Sequence, residues 1–422
     1  MKVLFTSIFS LFLALAAVGQ HDDQQAGHED QQHTESHADH GHHDLGCGIE
    51  HHEVTEYEPG PVAFHHIADQ NIFTIGPVWF HLPCILYAPE TGLSVFSSGK
   101  FHVADHHGDG TMAVDRYVIH SGVVMRVQDE SFPMGEVEVS GFTGQKEMVN
   151  GKEKEVYYVC YHDQLYKLDQ SSTADGGLFG GGITSFYDFS ITKNVLTMLI
   201  VAILLGWMFI SIARRYRKRS GMAPRGVQSF MEPIYNFIKD DVAKAMIGPK
   251  YERFMPFIMA LFFFILALNL IGQVPFLGNP NVTGNLAVTL VLAIFTFIVT
   301  NINGNGHYWQ HIFWMPGIPF AVKLIMTPIE ILGLFLKPIT LMVRLFANIT
   351  AGHIVVLSFV GLIFIFGQMG TVPAGGWGGA VISILLTLFM SAIELLVAFI
   401  QAFIFAILSA SYIGMAVADD HH

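Results

Sequence analysis

The chain has 422 residues, 51% of them hydrophobic and only 14% charged, where an ordinary soluble domain carries about 25% charge. Its net charge of −13 arises mainly from Asp and Glu ahead of residue 190, which argues against a nucleic-acid partner and divides the chain into a polar first half and an apolar second half. No glycine-rich loop with a Lys-Ser/Thr ending is present, so direct nucleotide binding and an enzyme working on ATP by itself are not expected.

The first element, residues 1–19, places Lys2 ahead of an apolar core and sets small Ala17 and Gly19 around Val18. That is the pattern of a secretory signal peptide, with an uncleaved anchor as the alternative, and it makes the next segment exported. Residues 20–66 are low in hydrophobicity and hold eleven histidines between His21 and His66, which predicts a disordered exported segment. Such tracts can take up zinc or copper, but no fixed ligand spacing is evident, so no specific metal site is assigned.

Residues 67–172 carry short alternating runs such as GEVEVSGF and KEVYYVCYH between turn residues, the pattern of a small β-rich exported domain. His106 and His107 beside Asp105 and Asp109 have ligand chemistry, with a solvated loop as the simpler reading. Cys84 and Cys160 are the expected disulfide, because Cys47 lies in low-complexity sequence; free thiols are the alternative. The glycine-rich residues 173–190 read as a linker.

The membrane part is predicted over 191–418. Ile191 to Ala213 supplies an apolar helix of ~35 Å, and the following RRYRKR assigns its end to the cytoplasmic side. Residues 227–247 repeat Val227, Phe230, Ile234, Phe237 or Ile238, Val242 and Met246 at helical spacing with charges between them, as an interfacial or partner-packed helix does. Residues 254–276 and 285–303 form a membrane hairpin, and Trp309 and Trp314 in the loop after it suit an interface. The last blocks, 318–367 and 378–418, would extend ~75 and ~60 Å against a ~30 Å hydrocarbon core. They must tilt or bend, most easily at Pro328 and Pro338 in the first. The expected fold is thus an all-α polytopic membrane protein with five embedded helices, one interfacial helix and an exported β-rich domain.

From Met255 to Ala418 the charged residues are Lys323, Glu330, Lys337, Arg344 and Glu394. The first four recur every seven residues and so share one slowly drifting stripe of one helix. A permanent cation at mid-bilayer costs from ~3 to ~10 kcal/mol or more, and Arg344 therefore calls for a task. Glu330 is ~21 Å from it towards the cytoplasmic side and His353 ~14 Å towards the outer side. On the last helix Thr387, Ser391, Glu394, Ala398, Gln401 and Leu408 make a small and polar stripe, within which Glu394 is a proton-relay or ligand candidate.

The motifs RLFANITAGH and ELLVAFIQAFIFAIL closely resemble subunit a of rotary F-type ATP synthases, over about Ile191 to Ala418. The resemblance implies that Arg344 is the essential arginine facing the c-ring, with Asn348 one turn away and Gln401 opposite. It implies an outer half-channel of His353, Glu394 and Asn269, and an inner one that Glu330 helps to form. Many bacterial relatives carry the Glu and His interchanged; if Arg344 and Gln401 are level, His353 and Glu394 fall within about one helical turn of each other. The implied partners are the c-ring, peripheral-stalk subunits and the lipid bilayer, with no cofactor. The implied location is the bacterial inner membrane, with the N-terminal domain periplasmic and the C-terminus cytoplasmic. A secondary transporter or free-standing channel with an exported metal-binding domain is the alternative; it would show inverted repeats, and none is visible.

Overall fold

The computed structural model describes residue 47 and residues 68–75, 78–103, 108–149, 152–172, 182–218, 221–274, 277–278, 280, 281–315, 317–368 and 371–418. The expected signal peptide, the His-rich segment apart from Cys47, and Asp105, His106 and His107 lie outside these residues. The chain forms two compact units. One comprises the described residues of Met1–Leu196, Pro275–Pro280 and His353–Leu388; the other comprises those of Thr197–Val274, Asn281–Gly352 and Phe389–His422.

The first unit contains the β-rich region. Its strands are β1 (Ile72–Ile75), β2 (Val78–His81), β3 (Pro83–Ala88), β4 (Gly92–Ser97), β5 (Met112–Val114), β6 (Tyr117–His120), β7 (Val123–Val127), β8 (Glu136–Glu138), β9 (Gly141–Val149), β10 (Lys152–Tyr161), β11 (Gln164–Asp169) and β12 (Tyr187–Asp188). A seven-stranded sheet runs β8-β5-β6-β7-β11-β10-β9, a three-stranded one runs β12-β3-β4, and β1 pairs with β2. The large sheet is built from tight hairpins: Asp115-Arg116, Ser121-Gly122 and His162-Asp163 all adopt positive φ in two-residue turns, the geometry whose twist matches paired strands.

Both faces of the central strands are buried. Tyr117, Ile119 and Val124 join Leu86, Phe101 and Phe186 in one core, while Val118, Met125 and Val127 join Phe132, Val159 and Leu168 in another. The disulfide differs from the expected pair: Cys47 bonds Cys160, and Cys84 is a free buried thiol. The reason is topological, since Cys84 lies in the core beneath the three-stranded sheet, near Asn71, whereas Cys160 sits on β10 of the large sheet. The expected linker is also shorter than 173–190. Tyr187 and Asp188 pair with Tyr87 and Leu86, and Phe186 is fully buried.

This ordered stretch leads directly into the first helix, α1 (Lys193–Lys218). Asp69 caps it: its carboxylate accepts from the Thr192 hydroxyl at 2.8 Å and from the Asn194 amide at 3.1 Å, and the Lys193 amide donates to the Gln70 carbonyl at 2.8 Å. A carboxylate here satisfies orphan donors and complements the helix dipole. Elsewhere in this unit Gly278 lies against Thr74, where an added Cβ would stand 2.7 Å from the Thr74 hydroxyl.

The other α-helices of eight residues or more are α2 (Val227–Phe237), α3 (Tyr251–Gly272), α4 (Leu286–Ile302), α5 (Gly306–Phe313), α6 (Phe320–Phe366) and α7 (Pro373–Val417). Among the described residues four helical runs are long and apolar enough to cross a membrane, or five if α4 and α5, bent by 107°, count as one span. α6 stays helical through Pro328 and Pro338 for 47 residues, ~70 Å of rise against a ~30 Å hydrocarbon core. Trp309 belongs to α5, stacked on Phe313, and not to a loop.

The 227–247 stripe divides where α2 passes into a π-helical stretch, Ile238–Lys244. The wider turn rephases the face, so Ile238, Val242 and Ile247 are buried while Phe230, Phe237 and Met246 remain exposed. α7 closes against this end of the unit. A Cβ on Gly414 would stand 2.0 Å from the Met246 carbonyl oxygen, and the terminal Val417 carbonyl accepts from Lys250 and Asn305, each at 3.1 Å.

Candidate functional site

The heptad charges all project from α6. Lys323 lies over the Trp314 ring at 4.7 Å from its centroid, and Lys337 over the Tyr412 ring of α7 at 5.5 Å. Aromatic faces thus hold both ammonium groups. No ion pair within 4.0 Å joins Lys323, Glu330, Lys337 or Arg344 to one another or to another described residue. Mutual neutralisation, the plain structural account of the stripe, therefore does not describe these side chains. Arg344 and Glu330 are half-buried, and Asn348 is exposed one turn beyond Arg344.

Gln401 is buried and Glu394 half-buried on α7. Glu394 is packed against α6 through glycine: a Cβ on Gly352 would come within 2.6 Å of Glu394 Oε1. The backbone carbonyl of Glu394 accepts from Gln273 Nε2 at 2.8 Å. Asn269 braces the same region, donating to the Ala398 carbonyl at 3.2 Å and accepting from the Thr283 hydroxyl at 2.7 Å. Its amide is thus engaged on both sides, a structural tie between α3 and α7. His353, the residue after Gly352, belongs to the other compact unit, where it is buried and within electrostatic reach of Lys193.

A small cleft lies among α4, α6 and α7, with Thr296, Thr300, Asn301, Tyr308, Lys337 and Tyr412 among its lining residues. Among the described residues the buried Thr300 hydroxyl there has no hydrogen-bond partner. Gln273, Gly352, Tyr412 and Lys193 were not singled out from sequence. Gln273, at the end of a long apolar run, and Gly352, beside His353, were the available signals.

In the β-rich region, Asp109 binds His120 Nδ1 at 2.8 Å and the Ser121 amide at 2.7 Å. These bonds tie a hairpin together, and no group of three or more potential metal ligands occurs among the described residues.

A family model described as ATP synthase A chain matches residues 195–414, just over half of the chain. The chain belongs to this ATP synthase A chain family. Among its relatives, ATP synthase subunit a of Chloroherpeton thalassium is 45% identical over 242 residues, covering 56% of this chain and 69% of the relative. ATP synthase subunit a 2 of Prosthecochloris aestuarii is 42% identical over 56% of this chain and 71% of its own. ATP synthase subunit a of Myxococcus xanthus is 39% identical over 59% of this chain and 80% of its own. A second family model, a domain of unknown function, matches residues 62–150. The ATP synthase A chain match begins inside α1 and ends near the close of α7, so the helical region with Arg344, Glu394 and Gln401 is the part shared with these relatives.

Proposed function

We propose that this chain is the stator proton channel of a rotary ATP synthase, passing protons to and from a c-ring through two offset half-channels. Arg344 carries the reading: a half-buried guanidinium midway along a 47-residue apolar helix, with no carboxylate within ion-pair distance among the described residues. The cost of such a cation is offset when a partner brings the carboxylate. In subunit a that partner is the c-ring, whose acid must be neutral to travel through lipid and ionised to meet the arginine.

The roles follow from charge. His353 and Glu394 accept a proton from the exported side and hand it to the c-ring acid; Glu330 receives it on the cytoplasmic side. Asn348 and Gln401 shape the ring-facing surface around Arg344, and Asn269 fixes α7 at the level of the outer relay. A guanidinium stays protonated at any physiological pH, so Arg344 separates the half-channels without relaying protons between them. The membrane is a bacterial inner membrane, with the β-rich region on the exported side and the peripheral stalk as a further partner.

The test is Arg344→Ala in the assembled complex. Co-purification of the c-ring with loss of proton-driven ATP synthesis is expected; coupled synthesis by the assembled variant would overturn the assignment.

A further inference from the structure

The three-stranded sheet departs from the usual division of an antiparallel sheet into an apolar inner face and a polar outer one. Side chains alternate between the two faces along each strand. On β3, Cys84, Leu86 and Ala88 point into the core, which leaves Ile85 and Tyr87 on the outer side. On β4 the polarity is inverted. Its register sets Ser94 and Phe96 opposite Leu86 and Cys84 on the inner face, while Leu93 and Val95 face outward and are 64% and 62% exposed. On the other flank Tyr187 pairs with Tyr87, and the Phe189 amide continues that register by donating to the Ile85 carbonyl at 2.8 Å. Two apolar rows result, Tyr187-Tyr87-Leu93 and Phe189-Ile85-Val95, with no charged side chain in either. Tyr87, Leu93, Val95 and Phe189 are exposed, and Ile85 and Tyr187 are half-buried.

The chain carries this face directly to the bilayer. Beyond Phe189 the Ile191 amide donates to the Pro83 carbonyl at 3.2 Å, and α1, long and apolar enough to cross a membrane, begins at Lys193. Phe189 and Tyr187 precede that start by four and six residues, so the two rows lie within ~14 and ~20 Å of it along an extended chain. The sheet and the first turn of α1 belong to one compact unit. In the same unit Gly278, from the connection between α3 and α4, lies against Thr74 of β1.

We propose that the outer face of the three-stranded sheet is a lipid-docking surface, by which the β-rich region rests on the leaflet that α1 enters. The inference rests on the membrane span and the exported placement given above.

Contiguous exposed apolar surface on a folded region marks an interaction site. Aliphatic side chains with Tyr and Phe and no charge suit the boundary between headgroups and acyl chains, where aromatic residues are enriched. Lipid is the occupant because α1 holds the face at the bilayer, which makes the contact intramolecular in effect and removes the cost of an encounter. The contact is shallow. β4 ends the sheet, and the unpaired backbone groups of a sheet edge are too costly to place in hydrocarbon.

The experiment puts an environment-sensitive fluorophore on single introduced cysteines in the complete complex, reconstituted in liposomes of phosphatidylcholine and phosphatidylglycerol. Cys47 and Cys160 are joined and Cys84 is buried, so the introduced cysteine is the one that reacts within this chain. The complex without it supplies the background from other subunits. Leu93→Cys and Val95→Cys report on the face, and Met148→Cys, at a 72% exposed position on β9 of the large sheet, is the comparison. Labels at Leu93 and Val95 are expected to be quenched by nitroxide lipids, at least about twofold more by a nitroxide near the headgroup than by one at the acyl end, because docked faces sink only ~5–10 Å. The label at Met148 is expected to respond to aqueous iodide and not to the nitroxide lipids.

Lipid quenching at Leu93 and Val95 no greater than at Met148 would overturn the proposal. So would labels there that are shielded from iodide yet untouched by nitroxide lipids, which would assign the face to another protein chain. If Leu93→Cys does not assemble, Val95→Cys decides alone. Trp207→Cys, at an exposed position on α1, separates the two readings. Absence of lipid quenching at Trp207 removes the membrane span itself, whereas quenching at Trp207 with none at Leu93 or Val95 removes only this inference.

Discussion

Two arginines from the two regions make the instructive comparison. Arg126, on β7, is 1% exposed and has its counter-charge within the chain: its two terminal nitrogens donate to the Ser185 carbonyl at 2.9 Å and to Glu90 at 3.1 Å, and it lies over the Tyr117 ring, with only Nε unpartnered among the described residues. Arg344 is more exposed, sits on an apolar helix, and has no carboxylate in ion-pair contact among the described residues. A buried charge with its partners in the same chain serves the fold. One with no counter-charge in contact among the described residues points to a partner that brings it.

The largest effect expected is functional. Arg344→Ala should reduce proton-driven ATP synthesis by on the order of 100-fold or more, the scale seen when a preorganised charge is removed, with the c-ring still co-purifying. Arg126→Met should have the inverse profile. It strands the Ser185 carbonyl and costs the β-rich region about 2 kcal/mol, read by denaturant unfolding followed through Trp79, while synthesis at permissive temperature persists. If Arg126→Met abolished synthesis in a folded complex, or if Arg344→Ala only destabilised, the comparison would fail.

A larger change in stability is expected from the disulfide. Cys47 and Cys160 are 113 residues apart, and closing a loop of that size restricts the unfolded chain by about 4–5 kcal/mol in the entropic account. Cys47→Ser should therefore lower the denaturant midpoint of the β-rich region by more than Arg126→Met does. The native protein should lose the same amount on reduction.

The helical region was legible because its signals are local. Long apolar runs reveal helices, and a charge among them is conspicuous because it is costly; thus Lys323, Glu330, Lys337, Arg344 and Glu394 stood out from the residue order alone. The helical contacts that sequence missed are made by residues with little signature. Gly352 admits Glu394 because it lacks a side chain, and Gln273 acts on a backbone carbonyl. The π-helical stretch at Ile238–Lys244 shifted a face whose period had been read as uniformly α-helical.

The β-rich region was legible in class but not in pairing. Its turns at Asp115-Arg116 and His162-Asp163 lack glycine despite their positive φ, so the usual hairpin signal is missing. The cysteine pairing depended on strand order: β10 lies among the strands of the large sheet and β3 in the smaller one. Neither is fixed by neighbours in sequence. Asp69 and Lys193 were hidden for the same reason, being 124 positions apart yet joined through Thr192, Asn194 and the Gln70 backbone.

The smallest effect sharpens the cysteine assignment. Burial, assisted by the negative charge of Asp188, pushes the free Cys84 thiol up from its ordinary 9.0 to about 12, against weaker opposing hydrogen bonds from Asn71 and Ser190. A thiol raised on folding favours the protonated form in the native state. Its contribution is therefore complete below pH 9 and is lost as pH rises from 9 towards 12. At pH 10 the difference from an unshifted thiol is about 1.4 kcal/mol. Unfolding curves between pH 8 and 11 should show this decline in the native protein and a flatter profile in Cys84→Ala. Iodoacetamide at pH 8 should leave Cys84 unlabelled until denaturant is added, since only the thiolate reacts; rapid labelling of the folded protein would mean that the Cys84 pocket is open and the buried thiol misassigned.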